Sequence, residues 1–343
     1  MNHHLRSHAS DKTSSSPSPP HIQYPPNSPW GDTMTPLTQT DRSNTLRIAF
    51  QNTNGLKTQH NWSAWTNACS YFKQHHIDIF GGAETNLFWS LEHQHTLQRK
   101  SIKQLSTPRT VATSCKTHPS HSLFQPGGCL LLSQGKWTCR CHRSSTDPSG
   151  MGRWCHLRIE GKANIVINVV CAYRPCSPSR TETSTSNTTY LQQIRHLRLH
   201  HNTTCPRRQI LQDLSQQFHK WTNNNEEIIL LIDANERENN TTSQWSRFLQ
   251  KHNMFNAHTL FHQETPPCTY NRSHQIDYIA CTSRVTGCIR RAGFIPFDHG
   301  PFPSDHRCLF VDLDSTLLLN CHTPAPIYSL QQRKLFSKDT RAR

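Results

Sequence analysis

The chain has 343 residues, room for one large domain with tails. Only 33% of them are hydrophobic and the mean hydropathy is −0.73, so part of the length feeds no core. The net charge of +15 leaves two uses open, attraction to a polyanion and simple solubility.

The first residues, MNHHLRSHAS, lack an apolar core segment, and no run of about 18 apolar residues follows anywhere. We therefore expect no signal peptide, no membrane span and an intracellular protein. Fourteen cysteines would then be mostly free thiols rather than a disulfide scaffold. Cys139, Cys141 and His142 lack a second ligand pair and read as a strand with buried thiols, not a zinc site.

Residues 1–44 are rich in Ser, Pro, His, Asn and Thr without apolar period, and are expected to form a disordered arm. Leu46–Phe50 is a short apolar run ending at the polar turn QNTNG, which predicts a buried strand. Trp62, Trp65, Cys69 and Phe72 recur at helical spacing. Ile77–Phe80 predicts a second strand, ending at GGAETN, with a helix of about three turns from Leu87. Residues 101–126 carry no clear pattern.

Gly127-Gly128 opens another strand, CLLLS. Lys136–Arg143 and Trp154–Ile159 alternate as paired strands would. Asn164–Tyr173 is a β-branched apolar strand, and Ser177–Thr189 a Ser/Thr-rich loop. Helical patterns follow at Tyr190–His200 and Arg207–Trp221, the second with Ile210, Leu214, Phe218 and Trp221 on one face. Ile228–Ile232 is the most hydrophobic strand and ends at DANE. Gln244–His252 reads as a helix, Gln275–Cys281 and Cys308–Leu313 as the last strands, and residues 283–303 as a loop. Residues 316–343 form a basic tail. Residues 45–315 thus make one domain, a layered α/β fold with mixed sheets. No internal repeat is visible.

Four strands end in polar clusters, QNTNG, GGAETN, LIDANE and QIDYI, and a fifth cluster, PSDHR, precedes the last strand. A single Asp after an apolar strand is usually a turn or cap residue. Five such clusters converging on one rim of a layered sheet define a site. Carboxylates and amides hold Mg²⁺ or Mn²⁺, which are hard cations. A further carboxylate orients water, and a His paired with an Asp stabilises charge on phosphorus or transfers a proton. Phosphodiester hydrolysis asks for that set.

The order QNTNGL, GGAETN, CAYRP, LIDANE, QIDYIACT and PSDHR resembles the endonuclease/exonuclease/phosphatase superfamily over about Leu46 to Leu313. The resemblance implies a four-layered, DNase I-like α/β sandwich. It also implies roles. Glu84 would be the principal metal ligand, with Asn52 and Asp305 at the same ion. Asp233 would orient the attacking water and Asn235 would hold it or a phosphate oxygen. Tyr173 would donate to the phosphate, or simply pack at its strand end. Asp277 would pair with His306, which would contact the scissile phosphate, and either His306 or Asp233 would be the base. Asn54 and Arg174 would face substrate, although Arg174 equally fits a surface charge. Thr269 and Ser304 read first as turn and cap residues, with help in shaping the site as the alternative. The chain departs from the family pattern at Ile232, where Gly is frequent, and at Ala234, where a larger residue is usual.

QNTNGL, the Thr-rich loop after Tyr173-Arg174-Pro175, and DANE further resemble the endonuclease domains of non-LTR retrotransposons. That likeness implies DNA as substrate, a reverse transcriptase encoded alongside, and a nuclear location. The competing readings are a phosphatase of inositol or lipid phosphates, and a catalytically dead nucleic-acid-binding relic.

Overall fold

The apolar runs form strands because they are covered on both faces, which a nearly continuous run of Val, Ile and Leu permits. The computed structural model describes residues 28–116, 124–178, 186–238, 243–271 and 274–320. In chain order the strands are β1 (Trp30–Gly31), β2 (Thr45–Asn52), β3 (Ile79–Ala83), β4 (Arg109–Thr113), β5 (Cys129–Ser133), β6 (Cys141–Thr146) and β7 (Trp154–Glu160). They continue with β8 (Val166–Tyr173), β9 (Glu227–Asp233), β10 (Met254–Asn256), β11 (Asp277–Thr282), β12 (Ile289–Phe294) and β13 (Leu309–Asp314). One sheet runs β1-β12-β13-β2-β3-β5-β4, the other β10-β11-β9-β8-β7-β6.

The centres of the two sheets repeat one pattern. A parallel pair, β2 with β3, is flanked by antiparallel β13 and β5. In the other sheet the parallel pair β8 and β9 is flanked by antiparallel β7 and β11. This repeat is one of topology, hence invisible as sequence self-similarity.

The period-2 alternation of each strand distributes its side chains between two layers. Ile48 and Phe50 of β2 meet Val169, Leu231 and Ile279 between the sheets. Ala49 and Phe80 face outward onto Trp65, Cys69 and Phe72 of helix Gln59–Gln74. On the opposite outside, Val170, Leu230 and Ile232 pack against Ile210, Leu214 and Phe218 of helix Pro206–Thr222. Helix, sheet, sheet and helix make the four layers expected. The sheets approach closely at Gly81, where a Cβ would lie 2.7 Å from Leu231 Cδ1.

Several local expectations are corrected. Lys136–Arg140 belongs to a 3₁₀ turn, Gly135–Arg140, so only Cys141–Thr146 pairs with β7. Residues 283–303 are not a loop: they contain helix Ser283–Thr286 and β12, which lies between β1 and β13. The unpatterned stretch 101–126 contains β4, which joins the edge of the first sheet. At the N-terminus, residues 28–44 are structured: Trp30 is 2% exposed against Phe294, and helix Gln39–Asn44 follows. At the C-terminus, helix Ser315–Leu319 buries Leu318 and Leu319. The rest of the expected arm and tail, and of the Ser/Thr-rich loop at 179–185, lies outside the described residues. No helix among the described residues is long and apolar enough to cross a membrane.

Candidate active site

The C-terminal ends of both parallel pairs open onto one rim. β2 ends at Asn52, β3 leads directly into Glu84, β8 ends at Tyr173 and β9 at Asp233. Asp277 begins β11 directly opposite Asp233 in the antiparallel register. His306 arrives just before β13, bridged to Tyr270. Topology thus gathers residues from six segments spread over more than 250 positions.

Two hydrogen-bonded groups face each other there. Asn52 Nδ2 donates to Glu84 Oε2 and to Asp233 Oδ2, each at 2.8 Å. His306 Nδ1 lies 2.8 Å from Asp277 Oδ2. Among the described residues, the one group of three His, Cys, Asp or Glu side chains whose donor atoms lie within 4.8 Å is Asp233, Asp277 and His306. Cys139, Cys141 and His142 form no such group.

The electrostatics follow from burial. Burial, then the charge of Asp277, hold the Asp233 carboxyl well above the usual carboxylate range, and His306 partly offsets them. Burial works against a charged His306. The charge and hydrogen bond of Asp277 oppose burial, with Asp233 and Asp305 adding to them, and together push His306 up to about 9. Its imidazole is therefore a cation at neutral pH. Burial, and next Glu84, keep the Tyr173 phenol far above its ordinary range, so it stays a neutral donor.

A divalent cation suits this donor set. The half-buried Glu84 carboxylate is joined through Asn52 to the buried Asp233, with exposed Asp305 reaching the same edge through Asn54, and the buried Asp277 Oδ1 beside them has no hydrogen-bond partner. The Asn52 amide puts its partial positive charge between the Glu84 and Asp233 carboxylates. All offered oxygens are hard donors.

The remaining assigned residues divide. Asp305 is exposed and reaches the others through Asn54, whose Nδ2 donates to Asp305 Oδ1 at 3.0 Å. Asn54 also donates its backbone N–H to Asn52 Oδ1 at 2.9 Å. Asn235 holds its own loop: its N–H donates to Asp233 Oδ1 and its Nδ2 to the Arg174 carbonyl. Arg174 is neither surface charge nor phosphate clamp. It is 1% exposed, donates to the carbonyls of Arg207 and Ala234, and pairs with Glu236. Its guanidinium braces the Asp233 loop from behind. Ala234 is fully buried there, so the departure from the family pattern is absorbed by packing.

Some contributors were not assigned to the site from sequence. Thr269 accepts the N–H groups of Ile276 and Asp277, aiming the start of β11. Ser304 donates to the Asn52 carbonyl and accepts from the His306 N–H, tying the two halves together. Both read as turn residues in sequence, and their polarity alone could not say what they touch. Gln51 bonds the carbonyls of Phe302 and His306. The Tyr270 ring sits 4.7 Å from the His306 ring. The Cys176 thiol donates to Asn235 Oδ1.

Solved structures share this architecture. An AP endonuclease from Leishmania major superposes with a TM-score of 0.56 at 13% identity, covering 82% of this chain and 92% of its own. A Neisseria 3′ phosphatase, solved with a product DNA hairpin, gives 0.52 at 12%, covering 78% and 99%. An endonuclease/exonuclease/phosphatase from Bacteroides vulgatus gives 0.52 at 14%, covering 78% and 98%. The chain therefore has the endonuclease/exonuclease/phosphatase fold, the DNase I-like arrangement of two mixed sheets with flanking helices. No family model and no curated protein matches it by sequence.

Proposed function

We propose that this chain is a divalent-metal-assisted phosphodiester hydrolase that nicks DNA. The observation that carries the reading is the Asp277–His306 pair facing Asp233, which Asn52 joins to Glu84. Glu84, Asn52 and Asp305 would hold Mg²⁺ or Mn²⁺, which when bound offsets charge on the phosphate and the leaving oxygen. Asp233, with a carboxyl raised toward neutrality, is matched to accept a proton from the attacking water. Asn235 fixes the Asp233 loop. The cationic His306, held in one orientation by Asp277, donates toward a non-bridging phosphate oxygen, and Tyr173 adds a neutral donor. No covalent intermediate is needed.

DNA as substrate is supported by the net charge of +15 and by the DNA hairpin held by the Neisseria phosphatase of the same fold. The finer reading, a retroelement nuclease acting in the nucleus beside a reverse transcriptase, is supported by the QNTNGL and DANE motifs.

A supercoiled plasmid tests the proposal. Open circles should accumulate with Mg²⁺ or Mn²⁺, stop with EDTA, and fail to form with His306→Ala. Phosphate release from inositol phosphates without nicking would replace DNA by a small phosphoester as substrate. Salt-sensitive DNA binding with neither activity would leave a binding protein.

A further inference from the structure

Glu84 sits in an unusual backbone conformation, and so does the residue two positions on. Glu84 and Asn86 both have φ of +50°, in the left-handed region. For Glu this costs on the order of 1 kcal/mol, whereas Asn tolerates it. The turn persists because its surroundings hold it.

Asn86 makes most of that hold on one side. Its N–H donates to the Gly127 carbonyl at 2.8 Å, and its side-chain Oδ1 accepts the Gly127 N–H at 2.8 Å. Its carbonyl accepts from the Gln125 N–H at 3.3 Å. Thr85, between the two left-handed residues, donates to the Gly128 carbonyl and accepts from Leu56 N–H at its own carbonyl. On the other side the Glu84 carbonyl accepts from Gly55 N–H and from the Thr53 hydroxyl. Gly127 and Gly128 themselves have φ of +83° and +85°. A Cβ on Gly128 would lie 2.7 Å from Thr85 Oγ1, so the opposing turn must be glycine to come this close.

The turn that carries Glu84 is thus clamped between the 53–56 and 125–128 loops. Every one of these bonds is backbone to backbone except two, the Thr53 hydroxyl and the Asn86 amide. The side-chain links to Gly127 are the Asn86 amide oxygen, which accepts its N–H at 2.8 Å, and the Thr85 hydroxyl, which donates to its carbonyl at the longer 3.4 Å. We propose that Asn86 is a positioning residue for the metal site: its amide locks the left-handed turn, so that the Glu84 carboxylate meets Asn52 before any ion arrives. Rotating Glu84 out of that conformation swings its carboxylate away from Asn52 Nδ2 and leaves the buried Asp233 with one fewer neighbour at the ion. The inference rests on the metal reading of the site given above.

Mn²⁺ binding, followed by calorimetry and by loss of the free-ion electron paramagnetic resonance signal, tests it without recourse to catalysis. Asn86→Ala should weaken Mn²⁺ about tenfold or more, the usual effect of losing a group that orients a ligand. Asn86→Gly removes the left-handed strain at position 86 but also the amide, and should stay as weak. Asn86→Asp keeps an oxygen for the Gly127 N–H and should bind within about threefold of wild type, which guards against a variant that merely fails to fold. Wild-type affinity in both Asn86→Ala and Asn86→Gly would overturn the positioning role while leaving the site intact. Glu84→Gln separates the two ideas: if wild type and Glu84→Gln bind Mn²⁺ alike, the metal reading falls and the inference with it.

Discussion

At the scale of single residues, burial and neighbouring charge shift the proton affinities of Asp233 and His306. His306 keeps its proton because Asp277 outweighs burial, and Asp233 is raised because it is buried beside Asp277. In the metal-free protein an NMR titration should find the His306 ring changing near pH 9. Asp277→Asn removes the main raising influence, leaves burial, and should drop that midpoint to 6.5 or below. The sign for stability follows. A histidine raised in the folded state stabilises fully below its unfolded value of about 6.5, and this contribution fades as pH rises through about 9. Asp233→Asn should cut plasmid nicking by about 10²-fold or more with DNA affinity unchanged, the effect expected of a lost proton acceptor. Nicking at the wild-type rate would remove Asp233 from that role.

At the scale of elements, two contacts decide how the layers sit. Gly81 lets β3 approach β9, and Gly81→Ala places a methyl 2.7 Å from Leu231 Cδ1 and 3.3 Å from Cys171 Sγ. We expect a loss of about 1–3 kcal/mol, read as a lower urea midpoint, because a filled core must shift to admit it. Helix Ala257–His262 is anchored by His258, fully buried, whose Nε2 lies against the Gly293 and Phe310 carbonyls. Burial pulls its pKa down to about 3 despite those carbonyls. Unfolded chains bind a proton here below about pH 6.5 and the folded one does not, so this contribution is lost as pH falls. The stability gap between wild type and His258→Gln should therefore narrow by about 1.4 kcal/mol per pH unit between pH 6 and 4. A constant gap would mean that His258 is protonated in the fold.

At the scale of the whole molecule, a net charge of +15 would make the proposed DNA affinity a matter of salt. Binding should fall with a slope of about −0.9 per phosphate engaged on a log–log plot against salt. A flat plot would deny phosphate contact and remove the charge argument for DNA. The strand-end carboxylates, Asn52 and His306 were legible in the sequence because polar residues interrupt otherwise apolar runs there. The helix carrying Trp65, Cys69 and Phe72 and the strands of both parallel pairs were legible from periodicity for the same reason. β12 was not, since IRRAGF mixes charge and Gly, and its place between β1 and β13 comes from pairing partners distant in the chain. Nor was the fate of Arg174: an arginine beside the candidate motif reads equally as a clamp or a surface charge until the fold buries it against Glu236. What the sequence determined by itself is the residue inventory of the site and the period of each element, because both are local. Which carboxylates come within reach of one another, which arginine is buried away from the rim, and which backbone turn carries Glu84 were decided by tertiary structure. Each depends on hydrogen bonds and burial between segments that only the closing of the two sheets brings within reach.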